Sequence, residues 1–76
     1  MSKLINGKTK YQDLEGGFWS IITDDGLSLR PVNMPPQLME EDEHVECRVE
    51  FIDDSFGFQM WGQPVKIISF STIGSN

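Results

Sequence analysis

The chain has 76 residues and a formal net charge of −6, with 12 carboxylates against six Lys and Arg. That length sets one domain with a thin core, because so short a chain buries only about 60 % of its unfolded surface. The single cysteine, Cys47, excludes an internal disulfide, the single histidine, His44, argues against a four-ligand Cys/His zinc site, and the acidic balance disfavours phosphate backbones and anionic membranes.

Domains of this size often gain stability from a metal, a disulfide or a partner chain. With the first two disfavoured, a homo-oligomer or a complex with another protein is expected. No cofactor is called for. No run approaches the ~20 apolar residues of a membrane span, and "MSKLINGKTKYQ" has no apolar core of signal-peptide length. A lone thiol fits a reducing compartment, so the expected location is cytoplasmic, with no membrane partner.

Residues 1–76 read as one unit, with 1–7 as a flexible N-terminal arm. The first predicted strand spans Lys8 to Leu14. Gly16 and Gly17 then permit a sharp bend, since glycine alone takes positive φ without steric cost. A second strand runs from Phe18 to Thr23, and "DDG" at 24–26 signals a hairpin. The third strand runs from Leu27 to about Val32, with Leu27 and Leu29 on one face. "MPPQLMEEDEH" predicts one or two helical turns opening at Pro36, with Leu38 and Met39 capping the core.

"HVECRVEFID" is the clearest strand: Val45, Cys47, Val49 and Phe51 alternate with Glu46, Arg48 and Glu50. Cys47 then lies on the apolar face as a small buried hydrophobe. Phe56, Phe58 and Met60 share a face further on. Gly62 and Pro64 interrupt the pattern, and Val65 to Phe70 is apolar on both faces, with Val65 and Ile67 on one and Ile68 and Phe70 on the other. A strand apolar on both sides is covered on both sides, and in a barrel one of those sides is outside.

Eight of the twelve acids fall between positions 40 and 54, while the first ten residues carry Lys3, Lys8 and Lys10 and no acid. The acidic run reads as a solvated face. The alternative is that the basic end docks on an acidic patch of the same chain or of a neighbour.

Nucleophilic catalysis needs a nucleophile, a base and an orienting group together. His44 is the one candidate imidazole, and nothing near it in sequence supplies a nucleophile, so no catalytic residue is assigned and the chain does not read as an enzyme. Asp24-Asp25 and Asp53-Asp54 sit at turns, where Asp bonds its own backbone. Trp19 and Trp61 each adjoin another large apolar residue, Phe18 and Met60. In a strand neighbours point to opposite faces, so a large apolar group must face away from the main core.

"DLEGGFWSIITDDG", "RPVNMPP" and "MWGQPVKIIS" together resemble a group of small prokaryotic proteins that share an acidic-Gly-Gly-aromatic strand, an Asp-Gly hairpin, a Pro-rich step and a Met-Trp-Gly ending. The resemblance covers about Lys10 to Ile73. It implies a small closed barrel similar to the oligonucleotide/oligosaccharide-binding fold, and it carries no activity to transfer. Related chains are more basic after the prolines and place a Gly before the next strand, whereas "QLMEEDEHV" is acidic and has none.

The expectation is therefore an all-β domain, five strands in the order β-β-β-α-β-β closed into that barrel. The alternative is an open antiparallel sheet packed in a dimer. The expected function is a non-catalytic binding module, self-associating through Trp19, Trp61, Phe56, Phe58, Met60, Ile68 and Phe70. Two alternatives stand beside it: a nucleic-acid-associated barrel, disfavoured by charge, and a small metal-dependent protein using the Asp pairs.

Overall fold

A computed structural model describes residues 2–52 and 61–72. Strands β1 (Ser2–Gln12), β2 (Phe18–Thr23), β3 (Ser28–Pro31), β4 (His44–Phe51) and β5 (Gln63–Thr72) close into a barrel in the order β1-β2-β3-β5-β4. A single 3-10 turn, Pro36–Leu38, lies between β3 and β4. The expected five-stranded barrel is thus present, with its helical part reduced to one turn that opens at Pro36.

The expected N-terminal arm is instead the first half of β1. Ser2 to Lys8 pair with β4, and Gly7 to Gln12 pair with β2. The strand escapes a hydrophobicity pattern because its inward positions after Ile5 are Gly7 and Thr9. Gly7 is where β1 passes from one neighbour to the other. A Cβ there would press on the Ile22 carbonyl oxygen and lie 2.9 Å from Thr23 Cα. The β1–β2 connection turns on Glu15, Gly16 and Gly17, at φ 50°, 88° and 95°, so the bend expected at the glycine pair is there.

Thr9 fastens the acidic segment to the barrel. Its backbone N–H donates to the Glu43 carbonyl (2.9 Å) and its carbonyl accepts from Asp42 N–H (2.9 Å). Its buried hydroxyl donates to the Glu40 carbonyl and accepts from Glu43 N–H at 2.8 Å. Lys10 adds ion pairs to Glu41 (3.7 Å) and Asp42 (3.4 Å). The acidic run therefore docks in part on the basic first strand, although pairs this exposed contribute little energy.

The parallel β3–β5 pairing closes the barrel over only Leu29↔Gln63, Arg30↔Pro64 and Pro31↔Val65. Val32 N–H then donates to the Val65 carbonyl (2.9 Å). The Asn33 carboxamide follows: its Nδ2 donates to the Ile67 carbonyl (3.0 Å), and its Oδ1 accepts from Ile67 N–H (2.8 Å). A carboxamide carries the donor and acceptor of a peptide group, so Asn33 prolongs the ladder by one step after the backbone has turned away.

The core comprises Ile5, Ile21, Leu29, Leu38, Val45, Cys47, Val49, Val65 and Ile67, with Met34 packed against it. Four expected positions differ. Leu27 lies in the turn before β3 and is exposed, Met39 is exposed beside the buried Leu38, and Phe51 is exposed at the end of β4. In β5, Arg48 pairs with Ser69 and Val49 with Ile67, so Ile68 is a bulged residue without a partner on β4. The extra residue reverses the alternation. Phe70 therefore lies across from Cys47, on the opposite face from the one first assigned to it.

Candidate binding surface

The barrel wall formed by β1, β2 and β3 has an inner row, Thr9, Ile21 and Leu29, that is fully buried. The alternate positions form the outer row. Lys8 faces Ile22, Lys10 faces Ser20 and Gln12 faces Phe18, while Ile22 faces Ser28 on β3. Arg30, two residues on, lays its guanidinium over the Phe18 ring, 3.9 Å from the ring centre. Trp61, just before β5, packs on the same Phe18 at a centroid distance of 5.3 Å and an interplanar angle of 56°. Phe18 is thus the centre of an outer cluster that draws on β2, β3 and the approach to β5.

Hydrogen bonds set the cluster in place. Arg30 Nη1 donates to Glu15 Oε1 at 2.9 Å, tying it to the turn after β1. Ser20, fully buried between the outer side chains, donates to the Lys10 carbonyl (2.8 Å) and receives a bond from Gln12 Nε2 (3.3 Å). Beside Ile22 the wall dips into a depression of about 300 Å³ lined by Lys8, Lys10, Ile22, Thr23, Asp24 and Asp42. Lys8, Lys10 and Arg30 supply half of the chain's six basic groups. Two of the three are matched by acids, Lys10 by Glu41 and Asp42 and Arg30 by Glu15.

Of the residues expected to form one aromatic patch, four are described, Trp19, Trp61, Ile68 and Phe70. Trp61 belongs to the outer cluster. Trp19 lies on the inward face with Tyr11, its cross-strand partner, in an edge-to-face pair 5.2 Å between centroids. Ile68 and Phe70 stand on β5, exposed at 51 % and 37 %. Phe56, Phe58 and Met60 lie outside the described residues, as does the Asp53-Asp54 pair. Phe18 and Arg30 were missed. Alternation leaves open which of Phe18 and Trp19 faces the core, and Ile21, buried inside, places Phe18 outside.

The other described candidates lie in or beside the β2–β3 hairpin. Asp25 accepts a hydrogen bond from the Thr23 hydroxyl, which holds its carboxyl below the ordinary range. In the same hairpin, Gly26 N–H donates to the Thr23 carbonyl (2.9 Å). His44 Nε2 lies 4.0 Å from Asp24 Oδ1, half-exposed. Among the described residues no three His, Cys, Asp or Glu side chains gather where a metal could be held, and no helix is long and apolar enough to cross a membrane.

Cys47 is fully buried, and burial, with Glu46 adding to it, pushes its thiol up to about 11 from 9.0. The folded state then holds the proton more tightly than the unfolded chain. The thiol's contribution is complete below pH 9 and is lost as pH rises towards 11. On the order of 2 kcal/mol of stability is expected to disappear across that window. Urea unfolding of the wild type and of Cys47→Ala at matched pH reads the difference. Parallel pH profiles would contradict it.

With the strand order and the outer cluster established, comparison with known proteins adds no relative: no family model, no curated protein and no solved structure matches this chain.

Proposed function

We propose that the protein is a non-catalytic binding module that holds a partner protein against the outer wall of β2 and β3. The observation that supports this is the cluster of Phe18, Arg30 and Trp61. An aromatic pair backed by a stacked guanidinium is the residue chemistry that dominates protein interfaces, where Trp, Tyr and Arg carry most of the binding energy. The charge balance favours a protein over a polyanion. Arg30 and Lys10 already have carboxylate partners, so phosphates would have to displace Glu15, Glu41 and Asp42.

Single-stranded nucleic acid is the second reading. It is favoured by Lys8, Lys10 and Arg30 sharing one wall with two aromatic side chains, the combination on which bases stack while phosphates are neutralised. The two readings part in a titration of Trp fluorescence with a 12-nucleotide dT strand at low salt. The protein-partner reading expects no saturable change under those permissive conditions. Quenching that Trp61→Ala abolishes would establish the nucleic-acid reading in its place.

The protein-partner reading has its own test in retention of a partner from an extract of the parent cells on immobilised protein. Trp61→Ala is expected to reduce retention by about tenfold or more with an unchanged thermal midpoint. Equal retention by both forms contradicts it.

A further inference from the structure

We infer that two copies of this chain pair edge to edge through the second half of β5, in a weak twofold dimer that leaves the outer wall of β2 and β3 free. On its β3 side, β5 is bonded through Val65 by Val32 and through Ile67 by the Asn33 carboxamide. Beyond Ile67, among the described residues, β5 pairs only with β4, which it follows as far as Val45↔Thr72. Ladder alternation past the Ile68 bulge turns the N–H and C=O groups of Phe70 and Thr72 to the unpaired side. Among the described residues, Ile68 to Thr72 thus form an open edge, which is a template for another strand.

Two features of this edge select a second copy as its occupant. Ile67 to Thr72 reads "IISFST" and carries no charge, in a chain whose net charge is −6. Copies of so acidic a protein meet at least cost where no carboxylate lies between them. Behind the edge, the β4 residues Glu46 and Arg48 sit across from Ser71 and Ser69 with opposite signs. The edge is also its own complement. Antiparallel pairing about Phe70 sets Phe70 against Phe70, Ser69 against Ser71 and Ile68 against Thr72. An aromatic pair then faces itself, a favourable cross-strand contact. Ser2 to Ile5 of β1, which among the described residues pair only with β4, carry Lys3 and adjoin the β2–β3 hairpin across a depression of about 190 Å³.

A contact of five residues per copy is smaller than the ~1,200–2,000 Å² of a standard interface, so the expected dissociation constant lies at about 10 µM to 1 mM. Sedimentation equilibrium from about 5 µM to 1 mM tests this. The mass of the wild type should rise from one chain towards two. Phe70→Lys sets two cations against each other on the twofold axis. Thr72→Pro deletes an N–H that faces the open side while sparing the bond to β4. Each is expected to raise the dissociation constant at least tenfold, with the circular dichroism at low concentration unchanged. Trp61→Ala should leave it unaltered, which separates this dimer from binding at the outer wall. If Phe70→Lys does not fold, Thr72→Pro carries the test. A wild type that stays monomeric to 1 mM, or a folded edge variant that dimerises as tightly as the wild type, overturns the proposal.

Discussion

Gly7→Ala is expected to cost about 3 kcal/mol or more. The added carbon meets the Ile22 carbonyl and Thr23 Cα, both main-chain atoms held in the β1–β2 ladder. No rotamer change relieves such a contact, so the two strands must separate where β1 changes neighbours. Overpacking of a rigid site costs ~1–3 kcal/mol or more. A 76-residue domain has only about 4–11 kcal/mol in total, so the variant would lose roughly a quarter to three-quarters of its stability. Urea titration with a normal slope and a loss under 1 kcal/mol would show that β1 can bend elsewhere.

Leu38→Ala is expected to lower stability by about 2–4 kcal/mol, through lost transfer energy and the cavity left behind. Leu38 is fully buried, and it is the one buried side chain between Pro31 and Val45. The flanking turn is only Pro36–Leu38, its first position already set by proline, so little structure can collapse into the gap. Leu38→Met, which keeps the volume, should cost less than ~1.5 kcal/mol. The two urea midpoints give the comparison, and similar values for Ala and Met would mean that Leu38 covers the core without filling it.

Elements with a strong local signal were legible in the sequence. β4 shows it best, because Val45, Cys47 and Val49 face in while Glu46, Arg48 and Glu50 face out or lie at the surface. The Asp25-Gly26 hairpin and the Gly16-Gly17 bend were equally plain, since each depends on one residue's backbone preference. The first half of β1 was not legible. Its partner β4 lies some forty residues away, and its inward Gly7 carries no hydrophobic signature.

The site was legible only in part, and for a related reason. Trp61 stood out as a large apolar group needing cover, but its neighbours Phe18 and Arg30 come from strands whose facing depends on register. A single bulged residue, Ile68, was enough to move Phe70 to the other face of β5. Periodicity alone cannot detect it, because the sequence "KIISF" is apolar on both faces and either register looks acceptable.

Whether Phe18, Arg30 and Trp61 meet a partner can be read in the cell by one photo-crosslinking comparison. A benzophenone amino acid at position 61 lies on the outer wall, and the same group at Gln37 lies on the exposed 3-10 turn at another part of the barrel. Irradiation should yield one discrete protein adduct from position 61 and none from position 37. Adducts of equal yield from both positions, or an adduct from position 37 alone, would show that the outer wall is simply packed surface.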